Sequence, residues 1–318
     1  MRKCKTILQK PKIGYFWRWK INYLKRKVLF IINPISGGKN KDGVPALIKK
    51  HLDANKFEYR IDISTGVLHA QQLAQKNIKQ YDIIVAVGGD GTINEVASVI
   101  VGTDTALGII PYGSGNGLAR FLGIPMDPEG AIKTLSEDQV QTIDAAKFND
   151  KWFFNLAGMG FDAHISEVFS HDKKRGFGAY IKSSFREINK YQSETYQLTI
   201  DGKEYTRQAF MLSIANSSQY GNNAHISPCA SVQDGLLDVC IVKPFPLYMF
   251  IMMGIRMFTK TANRSKYVEI IQGKQITVKR EKDGAIHLDG EPQIMGADIK
   301  VEIVPASLRI ITGSTYKA

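Results

Sequence analysis

Three acidic residues stand where a carboxylate can do chemistry. Asp90 lies inside Gly88-Gly89-Asp90-Gly91-Thr92, and Asp289 and Glu291 flank one glycine in Asp289-Gly290-Glu291-Pro292. A glycine turn ahead of a helix sets unpaired backbone N–H groups at the positive end of the helix dipole, and the missing Cβ atoms let a phosphate come close. A carboxylate in such a turn repels phosphate unless a cation such as Mg²⁺ lies between them or the acid handles a proton. The loop therefore points to Mg-nucleotide, with a plain tight turn as the alternative. For Asp289 and Glu291, residues i and i+2 of an extended strand share one face, which converges two carboxylates and raises one pKa, as a general base needs. An Asp-Gly turn with solvated acids reads equally well from the same residues.

The elements that must hold Asp90 are a strand and a helix. Residues 83–87 form a nearly unbroken run of branched apolar residues, as in a strand covered on both faces of a parallel sheet. Thr92 followed by Glu95 has capping-box spacing, and Val96 and Val99 open an apolar helix face. The same alternation surrounds this unit. Strands are expected at 28–32, 57–63 and 106–111, and helical spacing links Val44, Leu47, Ile48 and Leu52, then Ala70, Leu73, Ala74 and Ile78.

The strand ends are candidate ligand contacts. The first runs into Asn33-Pro34-Ile35-Ser36-Gly37-Gly38-Lys39, which is no Walker A loop, because Asn33 replaces its first glycine and Asn40 follows the lysine. Asn33, Ser36 and Gly37 remain candidates for nucleotide contact. Thr65 is another, although a hydroxyl at a strand end more often makes a turn or cap. The fourth strand empties into Gly113-Ser114-Gly115-Asn116-Gly117, where the Ser114 and Asn116 side chains can donate hydrogen bonds. The two glycine loops are expected to face each other across one nucleotide, with Arg120 reaching a phosphate or solvent.

From about residue 140 strand-like segments follow one another. Turns are expected at Asn149-Asp150, Asp201-Gly202 and Asp283-Gly284, with one long strand over 205–214 and a helical insertion at 163–191 that carries the basic run 171–175. This gives a basic arm (1–27), an α/β domain (28–139), a β-rich domain (140–304) and a closing segment (305–318) that returns to the first domain or stays with the second. Residues 244–255, PFPLYMFIMMGI, are too short to span a bilayer and read first as a buried core helix. A segment that dips into a membrane or floors a lipid pocket is the alternative, given the cations that follow.

The formal charge is +12, and residues 1–27 hold ten Lys and Arg with no acid, interleaved with Tyr15, Phe16, Trp17, Trp19 and Tyr23. The remaining body is nearly neutral, which argues against nucleic acid as a partner. Such an arm suits an anionic membrane surface; a solvated tail is the alternative. Arg18 and Lys20 interrupt any signal-peptide core, and three scattered cysteines support neither a disulfide framework nor a zinc site, so the cytoplasm, at the inner face of the membrane, is the expected compartment.

GGDGT at 88–92, the loop at 33–37, GSGNGLAR at 113–120, GMGFDA at 158–163, DGLLD at 234–238 and DGEP at 289–292 stand in the order and spacing of the diacylglycerol kinase catalytic-domain family. The chain resembles that family, especially its soluble bacterial lipid kinases and the sphingosine kinases, over about residues 28–318. The resemblance implies an ATP- and Mg²⁺-dependent lipid kinase with an α/β nucleotide-binding domain of parallel strands, a sandwich-like antiparallel domain, and the active site in the cleft between them. Thr65, Gly88, Gly89, Asp90, Gly91, Thr92, Ile93, Asn94 and Ser114 match nucleotide-contacting positions. Asp234 matches a side-chain ligand of a structural Mg²⁺, with the carbonyls of Ser231 and Leu236. Glu291 matches the proton acceptor, assisted by Asp289. The GSGNG version sits nearer the sphingosine kinases, so the acceptor is a diacylglycerol or a long-chain base. GGDGT is shared with NAD kinases, which makes a soluble acceptor the second reading and a catalytically silent nucleotide or lipid sensor the third. Oligomeric state is left open, a homodimer included.

Overall fold

The computed structural model describes residues 25–170 and 177–317. The arm up to residue 24 and the basic run at 171–175 lie outside the described residues. Four parallel strands, β1 (Arg26–Ile32), β2 (Phe57–Ile63), β3 (Ile83–Gly88) and β4 (Ala106–Pro111), lie in the order β2-β1-β3-β4. The helices α1 (Val44–His51), α2 (His69–Asn77) and α3 (Asp90–Ile100) connect them, and α4 (Gly117–Phe121) and α5 (Pro128–Glu137) follow. Both β3 and β4 bury every residue, which is why they read as unbroken apolar runs. The first strand begins at Arg26, so Arg26 and Lys27 belong to the sheet and not to the arm: Arg26 pairs with Asp138, and the Lys27 N–H donates to Asp82 at 2.7 Å.

The chain continues with β5 (Val140–Phe148), β6 (Lys151–Phe153), β7 (Leu156–Gly160), α6 (Phe161–Ser170), α7 (Phe177–Glu187), β8 (Glu194–Ile200), β9 (Lys203–Ala209) and β10 (Met211–Ala215). It ends with β11 (Leu237–Val242), α8 (Met249–Phe258), β12 (Val268–Gly273), β13 (Gln275–Lys279), β14 (Gly284–Leu288), β15 (Glu291–Met295) and β16 (Asp298–Ile311). One antiparallel sheet runs β12-β11-β10-β7-β14-β15. The other is an extension of the parallel sheet, because β16 pairs in parallel with β4 at Ile310 and antiparallel with β5 and β13. Strands β8 and β9 follow β13, and Phe148, Phe153, Tyr196, Leu212, Val239 and Ile286 fill the space between the sheets. The closing segment expected to begin at residue 305 is thus continuous with the strand before it, for β16 runs unbroken through that boundary with a register slip between Val304 and Leu308 and pairs with strands of both halves.

Several expectations need correcting. Asn149-Asp150 and Asp201-Gly202 do turn hairpins, but Asp283-Gly284 does not, since β13 lies in one sheet and β14 in the other. The hairpin turn here is Asp289-Gly290, between β14 and β15, with φ of 50° and 89°, the conformation a two-residue turn requires. The long strand over 205–214 breaks at Phe210, with β9 in one sheet and β10 in the other. The α3 N-terminus has Gly89 as its cap and no capping box. Glu95 instead accepts the N–H groups of Leu68, Ala70 and Gln71 at the start of α2, at 3.1 to 3.4 Å. Finally, α8 is no core helix, for only Met253 among its residues is buried. Among the described residues no helix is long and apolar enough to cross a membrane.

Candidate active site

The C-terminal ends of β1, β3 and β4 deliver three loops to one place. The β1 loop lies on the β4 loop, where Gly37 at φ 66° presses so close that a Cβ would collide with the Tyr112 carbonyl oxygen. Gly89 likewise lies against Gly113, with 3.1 Å between its would-be Cβ and the Gly113 Cα. The glycine loops therefore pack on each other and do not face across a nucleotide at this level. Any phosphate must sit on top of the packed loops. Lys41, buried beneath, ties the first loop down by donating to the carbonyls of Pro34, Ser36 and Lys39. Burial, helped by nearby Lys39, lowers its pKa.

Asp90, first residue of α3, reaches across to the start of α4, where its two oxygens accept the N–H groups of Asn116 (2.9 Å) and Gly117 (3.1 Å). Burial pushes its carboxyl up to about 7; those two N–H groups oppose the rise, and the negative charges of Asp289 and Glu291 add to it. Both other candidate acids therefore act on Asp90. Glu291 lies over the first turn of α3, so close that a Cβ on Gly91 would come within 2.7 Å of its Oε1. A side chain at position 91 would push the Glu291 carboxylate off this turn.

Asp289 reaches the same spot by a route the sequence did not show. It does not share an extended face with Glu291, because it opens the hairpin turn in the left-handed region. Its Oδ1 accepts from the N–H groups of Asn155 (2.8 Å) and Leu156 (3.1 Å), and its Oδ2 from Phe154 (3.0 Å) and the Asn94 amide (2.8 Å). Burial raises its pKa, while the Asn94 amide and these N–H groups pull the other way. With two donors on each oxygen, against one on each oxygen of Asp90, Asp289 is a positioning residue that fixes the turn. Asn94 also donates to the Trp152 carbonyl at 3.0 Å, so it joins the two halves of the molecule and its amide is not turned to a nucleotide.

The other expected contacts divide. Ser114 and Thr65 are exposed; Thr65 is held by His69 Nδ1 at 2.9 Å. Asn33 donates to Thr92 Oγ1 at 3.0 Å, and Ser36 to the Asn33 carbonyl at 3.2 Å, so these three hold the loop's shape. Gly88 and Ile93 are buried and can offer only backbone. Asn116 is also buried, its amide donating to the Gly113 carbonyl at 2.8 Å, contrary to the expected outward side chain. Arg120 folds onto the Gly115 carbonyl at 3.1 Å and not toward a phosphate.

Beneath the turn lies a polar cluster that sequence reasoning missed. Asp162 accepts from Tyr220 (2.9 Å) and Ser213 (3.3 Å) and sits 3.1 Å from His287 Nε2, all under the sheet that ends at Asp289. Burial, reinforced by Asp162, raises the Tyr220 pKa. Only the Asp of GMGFDA hinted at it, since the other three are scattered in the chain.

At the second candidate site, Asp234 is exposed at a loop whose Gly235 N–H donates to buried Asp144 at 2.8 Å. Partial desolvation raises the Asp234 pKa although the residue reaches solvent; the Leu236 N–H opposes the rise, and the negative charges of Asp238 and Asp144 add to it. Its carboxylate and the neighbouring carbonyls are the oxygen donors a hard cation takes. Among the described residues no three His, Cys, Asp or Glu gather as a metal cluster; Asp144 is taken up by the N–H groups of Gly235 and Ala306, and Asp234 Oδ1 accepts the Leu236 N–H at 3.0 Å.

Residues 27–148 match the family described as "Diacylglycerol kinase catalytic domain", and residues 155–312 the family described as "YegS C-terminal NAD kinase beta sandwich-like domain". The "Probable lipid kinase YegS-like" of Chromohalobacter salexigens is 30% identical over 249 residues, covering 76% of this chain and 79% of that one. Its namesake in Pseudomonas aeruginosa PAO1 is 28% identical over 291 residues, covering 90% and 94%. The crystal structure of a diacylglycerol kinase from Bacillus anthracis str. Sterne superposes with a TM-score of 0.69 at 22% identity, over 92% of this chain and 98% of that one. An NAD kinase from Archaeoglobus fulgidus in complex with ATP gives 0.51 at 14% identity, over 90% and 94%.

Proposed function

This chain belongs to the diacylglycerol kinase catalytic-domain family, and we propose that it is a lipid kinase that moves the γ-phosphoryl group of ATP to a primary hydroxyl of a diacylglycerol or a long-chain base. The observation that carries the reading is the meeting of Asp90, at the start of α3, with Glu291, on a hairpin turn of the other half of the molecule. Phosphoryl transfer asks a protein mainly for positioning and charge neutralisation. The N–H groups that open α3 and the loop after β1, with Thr65 and Ser114 on the exposed rim, receive the phosphates. Glu291 takes the proton of the attacking hydroxyl. The new P–O bond forms as the bond to ADP breaks, and the electron pair leaves with ADP.

Asp90 would hold Mg²⁺ here together with the ATP phosphates, a cation that commonly uses only one or two protein carboxylates. A carboxyl kept near neutrality by burial and two like charges fits such an ion, because the ion supplies the missing counter-charge. When bound, Mg²⁺ neutralises charge on the phosphates. Asp289 keeps the turn shaped so that Glu291 stays over Gly91. The second candidate site, Asp234 with the carbonyls of Ser231 and Leu236, is assigned to a structural Mg²⁺. The basic aromatic arm is assigned to anionic headgroups at the inner membrane face, where each Lys or Arg adds about 1 kcal/mol.

The test is to incubate the purified protein with labelled ATP and either a total lipid extract or NAD, and to identify labelled products by mass spectrometry. Label in a lipid phosphate is expected. Label in NADP alone moves the chain to the NAD kinase reading, and no transfer to any acceptor leaves a silent binding protein; either result overturns the proposal.

A further inference from the structure

Helix α8 is apolar on both sides, yet it lies on the surface. Its inward residues are accounted for: Met253 is buried, Met257 packs with it, and the Phe250 ring stands edge-on to Phe161 at 6.0 Å. Its outward side, with the turn before it, presents Leu247, Tyr248, Ile251, Met252 and Ile255, between 44% and 78% exposed. A helix apolar all round belongs in an apolar setting, and the protein supplies one on only one side. Phe185 of α7, itself 48% exposed, packs edge-on against Phe250 at 5.3 Å and continues the patch onto a second helix.

Charge chooses the occupant. From Lys243 to Val268 the chain holds five Lys and Arg and no acid. Lys243 is paired with Glu269 at 2.9 Å, whereas Lys260, Arg264 and Lys266, which follow α8 in the chain, are exposed, as is Lys182, three residues before Phe185 on α7. A second copy docked by this face about a two-fold axis would bring these cations against their own images. The arm before residue 25 has the same sign, as have Lys173, Lys174 and Arg175 in the α6–α7 connection, so neither is a suitable cover. A surface of anionic lipid matches on both counts.

We propose that the outer face of α8, extended by Phe185, docks onto an anionic lipid bilayer. The helix is about 15 Å long and so lies in the interface, its apolar side chains among the acyl chains and its flanking cations at the headgroups. The proposal rests on the lipid-kinase reading only for its purpose. The face and the catalytic turn belong to one packed unit: Phe161, which Phe250 touches, precedes Asp162, which contacts His287, two residues before Asp289. Docking here would hold the cleft at a fixed height over the membrane.

The test uses the full chain and the variant Ile251→Ser/Ile255→Ser, with sedimentation on vesicles of phosphatidylcholine and phosphatidylglycerol at 2:1. In 1 M salt, where the Debye length is about 3 Å, the parent keeps measurable binding. The variant's partition falls about tenfold or more, as expected when two isoleucine side chains no longer enter apolar surroundings. Lys260→Gln/Lys266→Gln, which leaves the apolar face intact, weakens binding at low salt and not at 1 M. Both species carry the same arm, so the difference isolates α8. Binding is read without ATP, so it stands or falls apart from kinase activity. Equal partition of parent and serine variant overturns the proposal. So does a concentration-dependent dimer in sedimentation velocity that the serine variant abolishes while vesicle binding is unchanged, for that makes the face a contact between copies.

Discussion

Replacing Asp90 with asparagine separates the electrostatics of the site from its shape. The Asp90 carboxyl titrates at about 7 in the folded protein against 3.8 ordinarily, so between those values folded molecules keep a proton that unfolded ones have released. Stability contributed at this position therefore falls as pH rises through that window. At 1.36 kcal/mol per unit the shift corresponds to roughly 4 kcal/mol. Because the side chain retains some exposure, we discount this by about half, to roughly 2 kcal/mol. Asparagine cannot ionise and so escapes this penalty. It offers one acceptor oxygen instead of two, and leaving the N–H of Asn116 or Gly117 unmet costs about 1 to 2 kcal/mol at every pH. The assay is urea unfolding of both proteins at pH 4.5 and pH 8. Relative to wild type, Asp90→Asn gains about 2 kcal/mol between the two conditions, while phosphoryl transfer falls by a factor of about 10² to 10³. A stability difference that is the same at both pH values refutes the electrostatic reasoning. Near-normal turnover in the folded variant removes Asp90 from the chemistry.

Three further outcomes are expected. Asp289→Ala leaves the N–H groups of Phe154, Asn155 and Leu156 without their acceptor and lowers stability by about 3 kcal/mol or more; Asp289→Asn recovers part, and an unchanged melting temperature in the alanine variant contradicts the assigned positioning role. Glu291→Gln, on an exposed turn, melts with wild type but loses a factor of about 10² to 10⁴ in turnover; full activity shows that the proton goes elsewhere. Mg²⁺ raises the melting temperature of wild type but not of Asp234→Ala, since a ligand that binds only the native state stabilises it, and equal shifts in both proteins dismiss the cation site.

What could be read from the sequence follows the range of the interactions involved. The parallel strands were legible because burial on both faces leaves an unbroken apolar run, as in β3 and β4. The Asp90 loop was legible because a strand, its turn and the next helix are neighbours in the chain. The partners of Glu95, Asp289 and Asn94 were not, since each side chain bonds to a segment 24 to 195 residues away. The same dipeptide has two outcomes: Asp283-Gly284, expected to turn a hairpin, joins two sheets, and Asp289-Gly290, which reads equally well as extended strand or as turn, closes a hairpin. Local composition cannot separate these cases, because sheet membership is decided by strands elsewhere in the chain. Residues 244–255 misled for a related reason, as an apolar run states how much surface wants cover but not what covers it.

The central place of β16 has a consequence for biosynthesis. The edge of β4 that it covers is made nearly two hundred residues earlier, and at about 5 to 20 residues per second the nascent chain holds that edge open for on the order of 10 to 40 s. During that interval an entirely apolar strand presents unpaired N–H and C=O groups, a template for pairing with another nascent chain. The α/β half cannot close its sheet while the ribosome is still making the rest, even though nearly all of that half has already been synthesised. Both halves are completed by the same late strand, and so a chain that stops short of β16 should enter aggregates or proteolysis as a whole instead of leaving a folded first half.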